Sequence, residues 1–320
     1  PRGNCRPRKN SARPRRSCSA PRAPCSSGTS RPSPRSPPRT PPRWSSLCLS
    51  TSSRPCVGQA PGARSNPYKP DPVKVCVLGS GSAGNAVLVE GPRGYVLIDA
   101  GFSWREIKSR AKRAGFPLER VEALVLTHEH ADHVRGLKTL YRRGATIIAS
   151  PGTLRALGHR FRRAIPLNGG VEVAGIGIHS FRVPHDAAEP VGLVLESGGK
   201  SVGIATDLGE ARERVIEALN GCDALIFEAN HDLEMLLSGP YPWALKLRIL
   251  GPLGHLSNDA AGSALALLSE SARHIFLAHI SQENNRPALA LETVARYLDR
   301  WDGHLYLTYP DRPSAPLELL

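Results

Sequence analysis

Seven side chains stand where metal-ion chemistry could use them. His128, His130, Asp132 and His133 crowd into the run Thr-His-Glu-His-Ala-Asp-His at 127–133. This run directly follows the apolar stretch Ala123–Leu126. A strand end followed by a tight turn splays successive side chains around one point, as a cation's ligand set requires. A solvated loop histidine needs no such neighbours. Imidazole and carboxylate together suit Zn²⁺, Mn²⁺ or Fe²⁺. His185, Asp207 and His279 each follow another strand-like run: Phe181–Pro184, Ile204–Thr206 and Ile275–Ala278. Side chains at strand ends share one edge of a sheet, so these three can converge on the first four.

The elements that must position them read as alternating strands and helices. Val73–Leu78, Ala86–Glu90 and Tyr95–Asp99 are strand-like, separated by Gly79-Ser-Gly-Ser-Ala-Gly-Asn85 and by a turn at 91–94. Ser103-Trp-Arg-Glu106 is a capping box that opens a helix to about Ala114. Ala123–Leu126 is a buried strand, His133–Arg143 a helix and Thr146–Ala149 a strand. The second half repeats this grammar. Val191–Glu196 and Ser201–Thr206 form a hairpin, Arg212–Leu219 a helix and Ala224–Glu228 a strand. A helix capped by Ser257 runs to Leu268, followed by strand Ile275–Ala278, helix Pro287–Leu298 and a last strand Leu305–Thr308. Two such sets predict an α/β protein with two mixed sheets face to face and helices outside.

His128-x-His130-x-Asp132-His133 with His185, Asp207 and His279 resembles the motif set of the metallo-β-lactamase superfamily. Leu97-Ile-Asp-Ala-Gly101 resembles that superfamily's first motif, whose Asp (Asp99) is structural. The resemblance covers about 70–310 and implies a four-layer αββα sandwich. It implies one metal on His128, His130 and His185, and a second on Asp132, His133 and His279, with Asp207 bridging. Glu228-Ala-Asn-His231-Asp232, Gly254-His255-Leu-Ser-Asn and Ala278-His279-Ile-Ser281 resemble a block shared with ribonuclease Z-like phosphodiesterases. That block implies His255 as proton donor and phosphate ligand, oriented by Glu228. Leu256 interrupts the usual Gly-His-Ser order. The loop 79–85 and Ala278-His-Ile-Ser-Gln-Glu-Asn-Asn285 are similar to the YycJ/WalJ-like branch, small single-domain proteins grouped with exonucleases. Only 22 residues separate His185 from Asp207, too few for the tRNA-gripping arm of ribonuclease Z. The 72 residues from Asp207 to His279 leave no room for a β-CASP domain.

Composition divides the chain. Of 320 residues, the first 70 carry 15 of the 42 Lys and Arg and none of the 28 acidic residues. The remaining 27 basic residues face 28 acidic ones, so the formal charge of +14 belongs to the N-terminal segment. That Pro/Arg/Ser-rich segment cannot bury enough apolar surface to offset its chain entropy, and residues 1–70 are expected to be disordered. Its readings are a nucleic-acid-binding arm, a transit peptide, or translation from a misassigned start, since the chain begins with Pro. Residues 71–320 are expected to form the hydrolase domain. Cys76 and Cys222 are the two cysteines of that part and lack metal-site spacing, which predicts buried thiols in a reducing compartment. No apolar run reaches the roughly 18–20 residues of a membrane span. A cytoplasmic protein without membrane contact is expected.

The expected function is that of a binuclear metal-dependent phosphodiesterase, a nuclease of DNA-exonuclease type. Two divalent cations, zinc first and manganese or iron as alternatives, activate a water. Asp132 accepts its proton, and His255 protonates the leaving alkoxide. No Ser or Cys triad motif competes. The alternatives are a hydrolase of a small ester, lactone, thioester or cyclic phosphate, and a metal-dependent sensor without turnover. A nucleic-acid substrate needs a basic track. Two clusters are candidates: Arg105, Lys108, Arg110, Lys112 and Arg113, and Arg135, Lys138, Arg142 and Arg143. Both also fit solvated helix faces.

Overall fold

The computed structural model describes residues 73–158 and 161–319. The expectation for residues 1–70 lies outside the described residues.

The first half of the described chain runs β1 (Val73–Gly79), β2 (Ala86–Gly91), β3 (Gly94–Ile98), α1 (Trp104–Arg113), β4 (Ala123–Leu126), α2 (Ala131–Val134), α3 (Leu137–Arg142), β5 (Thr146–Ala149), α4 (Pro151–Ala156) and β6 (Ala164–Pro166). The second half runs β7 (Gly170–Val173), β8 (Ile176–Arg182), β9 (Val191–Ser197), β10 (Lys200–Ala205), α5 (Glu213–Leu219) and β11 (Ala224–Glu228). It continues through α6 (Leu233–Ser238), α7 (Trp243–Leu250), α8 (Asn258–Leu268), β12 (His274–Ala278), α9 (Pro287–Tyr297), β13 (His304–Leu307) and β14 (Leu317–Leu319).

Two seven-stranded sheets have the orders β14-β1-β2-β3-β4-β5-β6 and β13-β12-β11-β10-β9-β8-β7. In each, three antiparallel pairings give way to three parallel ones, at β3 in the first sheet and at β10 in the second. Alternate side chains explain the layers. Val75, Val77 and Ile98 meet Leu193, Ile204, Ile226 and Phe276 between the sheets. Cys76, Leu78, Leu97, Leu124 and Leu126 face outward under Ile107 and Ala111 of α1 and Leu137 and Leu140 of α3. Leu225, Phe227, Ile275 and Leu277 face α5, α8 and α9. Strands buried on both faces read as continuous apolar runs. The expected αββα sandwich is the architecture found.

Local departures have physical causes. The helix expected over His133–Arg143 is broken into α2 and α3 at Gly136. Its N–H donates to Ala100 O at 2.7 Å, and an added Cβ would press on Phe102 O. The strand expected at Leu305–Thr308 is His304–Leu307 and is not the last, because β14 pairs with β1. Arg110, expected on a basic surface, is buried. Its Nη1 donates to Leu78 O and Pro310 O, and its guanidinium lies 3.9 Å over the Phe102 ring.

Candidate metal centre

Strands β3, β4, β10, β11 and β12 are mutual neighbours within their sheets, and the loops after them meet at one edge. Three residues at these ends adopt left-handed backbone: Asp99 (φ 58°), Asp207 (φ 58°) and His279 (φ 54°). Residues with a Cβ avoid this region, Asp and His less than most. Holding them there costs about 1–3 kcal/mol each. The conformation ends each strand abruptly and turns the side chain into the cluster. Asp99 and Asp207 follow β3 and β10, the strands at which each sheet changes from antiparallel to parallel pairing.

Backbone contacts lock three loops together. Asn85 N donates to Asp132 O at 2.8 Å, Gly101 N to Asn85 O at 2.8 Å, and Ala100 N to His133 O at 2.7 Å. A Cβ at Gly101 would overlap Asp132 O and Asn85 N, so only glycine fits there.

Hydrogen bonds fix which ring nitrogen each histidine presents. Asp99 Oδ2 lies 2.8 Å from His133 Nδ1 and can only accept, so that nitrogen carries the proton and Nε2 faces the cluster. Thr127 donates its hydroxyl to Asp99 Oδ2 (2.8 Å) and therefore accepts from His128 Nδ1 at 3.1 Å. His185 Nδ1 donates to Gly254 O at 3.3 Å. His128, His133 and His185 thus all turn Nε2 inward, whereas His130 presents Nδ1.

Among the described residues, four sets of three candidate ligand atoms lie within 4.8 Å of one another. They are His128/His130/His185, His128/His133/Asp207, Asp132/His133/His279 and Asp207/His255/His279. All seven expected ligands are brought together, with Asp207 in two of the sets. The presence of His255 in the fourth set was not foreseen.

The donor set fits divalent cations. His130 Nδ1 faces His128 Nε2 at 3.1 Å and His185 Nε2 at 3.3 Å. With the outer nitrogens of His128 and His185 protonated, both of their Nε2 lone pairs point at His130 Nδ1. Nitrogens bound to a tetrahedral zinc lie roughly 3.3 Å apart, a spacing these three nitrogens match. Among the described residues, His279 Nε2 and Asp207 Oδ2 are buried without a hydrogen-bond partner, their nearest ion-pair neighbours lying at 3.4 Å (Asp207 Oδ1) and 3.3 Å (His133 Nε2). Buried polar atoms are rarely left so unless something else satisfies them.

Glu228 braces the other side. It is fully buried, accepts from Leu208 N at 2.7 Å, and its Oε1 lies 2.7 Å from His255 Nδ1 and 3.3 Å from His279 Nδ1. The His255 ring stacks on His279 with centroids 5.1 Å apart. Gly254 makes that placement possible, since a Cβ there would strike the carbonyls of Arg248 and Ile249. Leu256 follows His255 without entering the cluster. It points into the core, and its carbonyl accepts from Asn230 N at 2.9 Å.

The electrostatics follow from burial and neighbours. Burial, with His133 adding to it, holds His128 well below the usual imidazole range, and burial likewise lowers His185. At His133 burial opposes charging, but the Asp99 and Asp207 carboxylates outweigh it and raise the pKa. The same contest, led by Asp207, pushes His279 up to about 10. Against burial, neighbouring histidines hold Asp132, Asp207 and Glu228 in their anionic forms. His255 is raised because the Glu228 carboxylate outweighs burial. His231 is buried and pushed down to about 4; among the described residues both its ring nitrogens are without a hydrogen-bond partner and it belongs to none of the ligand sets.

Some bracing residues escaped sequence reasoning. Glu129, inside the histidine run, accepts from Ala188 N at 2.7 Å and so ties the His130 turn to the loop after His185. Thr127 and Asn85 contact ligands directly, Asn85 Nδ2 lying 3.0 Å from His133 Nε2. Asn285 is a buried cross-link. Its Nδ2 reaches Ala229 O, Asn230 O and Asn258 Oδ1, and its Oδ1 accepts from Arg286 N. Small polar residues flanking a histidine-rich run were the available signal.

A family model described as a β-lactamase superfamily domain matches residues 95–280. The chain is 36% identical over 256 residues to exodeoxyribonuclease YycJ of Bacillus anthracis, covering 76% of this chain and 97% of that protein. It is 36% identical over 263 residues to exodeoxyribonuclease WalJ of Streptococcus pneumoniae, covering 77% and 98%. Among solved structures, the metallo-β-lactamase fold protein YhfI of Bacillus subtilis superposes with a TM-score of 0.59 at 17% identity, covering 78% of this chain and 99% of that one.

Proposed function

We propose, for a chain that belongs to the metallo-β-lactamase superfamily and to its YycJ/WalJ-like branch, a binuclear metal-dependent phosphodiesterase that acts on DNA from an end. That the chain is a hydrolase of this fold comes with the family. The number of ions, their identity and the substrate are our reading.

His128, His130 and His185 would hold one cation, and Asp132, His133 and His279 the other, with Asp207 between them. Zinc is our first choice, on the imidazole-rich donor set. Bound divalent cations supply Lewis acidity toward phosphoryl oxygens and bring the pKa of a water toward neutrality. The chain's own residues do the rest. Asp132, anionic and partly exposed, accepts the water's proton. Asp99 and Thr127 keep His133 and His128 in the tautomers that ligation needs. His255, its Nδ1 held by Glu228, offers Nε2 to the cavity and protonates the leaving alkoxide.

The observation that carries the phosphodiester reading is His255 fixed by buried Glu228 against the ligand cluster. A thiolate leaving group has far less need of such a donor. The names of the curated relatives point to DNA. We place the protein in the cytoplasm and take residues 71–320 as its catalytic unit. Buried, unbridged Cys76 and Cys222 fit a reducing compartment. Among the described residues no helix is long and apolar enough to cross a membrane.

The test is metal analysis of the purified chain together with a substrate panel: single- and double-stranded DNA, RNA, bis-p-nitrophenyl phosphate and a thioester. Two equivalents of metal and end-dependent release of nucleotides from DNA are expected. Robust thioester cleavage without diester cleavage overturns the reading.

A further inference from the structure

Two unequal cavities share Ser281 in their linings; one reaches His255 beside the ligand cluster, and the other begins at Ile280, next to His279 in the chain. The smaller, about 200 Å³, contains His255 and is walled by Ser82, Tyr241 and Arg248. The larger, about 560 Å³, is lined by Gln282, Arg286, Tyr309, Asp311 and Arg312. The loop 80–85 separates them. Ser82 faces the first, and a Cβ on Gly81 would lie 3.6 Å from Pro310 in the wall of the second.

Their chemistry differs as well as their size. In the small cavity Arg248 is paired with Asp186 (Nε to Oδ2, 2.7 Å), so its charge is already balanced. In the large one the Arg312 guanidinium lies 3.7 Å over the Tyr309 ring, and among the described residues neither Arg286 nor Arg312 forms an ion pair with a carboxylate. Exposed cations beside an aromatic plane are what a single strand requires: phosphates meet the arginines, and a base stacks on the ring or on the guanidinium face. The small cavity lies below the roughly 300–1,000 Å³ typical of whole-ligand sites. Tyr241 and, from α7, Leu245, Arg248 and Ile249 form one of its walls.

We infer that single-stranded polynucleotide lies along the Arg286–Tyr309–Arg312 groove and delivers its end, past Ser281, into the smaller cavity at His255. This rests on the phosphodiesterase reading above and adds where the strand lies and why cleavage is end-dependent. The strand enters on the open, cationic side and stops against α7, so the diester over the metal ligands is one near the end.

The experiment uses the full, metal-loaded chain and oligothymidylates from a dinucleotide upward, with kcat and KM measured at several salt concentrations. Wild-type kcat/KM should rise with length until the groove is filled. Arg286→Ala and Tyr309→Ala should each raise KM for long substrates about 5–50-fold, the scale of one lost stacking or phosphate contact. Each arginine removed should lower the slope of log KM against log salt by about 0.7. Arg312→Lys keeps charge but loses the planar face. It should keep the salt slope yet lose part of the length dependence, which a folding defect would not do. Arg93→Ala, a remote surface change, should match wild type. A wild-type chain that cleaves oligonucleotides while the Arg286→Ala/Arg312→Ala double variant keeps its length dependence and salt slope overturns this inference alone. A wild type that cleaves no oligonucleotide overturns the parent reading and this one with it.

Discussion

Glu228 Oε1 lies 2.7 Å from His255 Nδ1, and the same oxygen is 3.3 Å from His279 Nδ1. One buried carboxylate therefore orients both a proposed metal-ligand histidine and the proposed proton donor. Neither ring can turn without disturbing the other, which keeps His255 Nε2 at a set distance from the candidate ligands.

His255→Ala should retain both metals and lose about 10²–10⁴-fold in rate on DNA, the usual scale for a positioned acid. The loss should shrink on bis-p-nitrophenyl phosphate, whose phenolate leaves without a proton. Parallel single-turnover rates on the two substrates check this. Equal losses would leave His255 a positioning residue.

Asp207→Asn and Asp207→Ala should separate charge from backbone. Both should lose metal, read by elemental analysis, and both should lose hydrolysis. Asn tolerates the left-handed φ of 58° better than Ala does. The Ala variant should therefore be less stable than the Asn variant by about 1 kcal/mol, a difference of roughly 2–4 °C in the melting temperature of the metal-free proteins. Identical melting would show that the strain is relieved in solution.

Gly101→Ala should be costly although it adds one methyl group, because the Cβ would meet backbone atoms of Asp132 and Asn85. A loss of about 1–3 kcal/mol is expected, with weaker metal retention during dialysis, since Asp132 must shift. A variant with wild-type melting and metal content would contradict the close approach.

Alkaline stability should report the two buried thiols. Burial raises Cys76 and Cys222 from about 9 to about 11. The folded state thus prefers the neutral thiol. Its advantage is complete below pH 9 and is lost as pH rises to 11, on the order of 2–3 kcal/mol per thiol. Denaturant titrations across that window should show a smaller loss for Cys222→Ala than for wild type. A matching pH dependence would refute the assignment.

How much the sequence revealed depended on how local each cause was. Ligands directly after apolar strands were legible, because strand ends must share an edge. The N-cap at Ser103 was legible because it is local, its side chain accepting from Glu106 N, although Glu106 pairs with Arg110 and does not complete the box. The break at Gly136 was not, since its cause is the distant Ala100 carbonyl. Helices α6 and α7 were not legible either. Several of their large apolar residues, including Trp243 and Leu247, are exposed, which blurs the helical pattern. Arg110 looked like one more surface cation because its partners lie 32 and 200 residues away.

The left-handed residues that end β3, β10 and β12 narrow what each position can become. Such a site must reverse the chain and also offer a donor atom inward. Asp, Asn and His are the side chains that tolerate the turn and carry such an atom, so only a short alphabet is admissible. Drift from Asp to Asn at position 207 spares the turn but trades a carboxylate oxygen for an amide NH2. A chain so altered would keep its strand ends while losing a proposed ligand. Screening for yield alone would accumulate such copies of this protein, and only an assay of metal content or turnover would tell them apart.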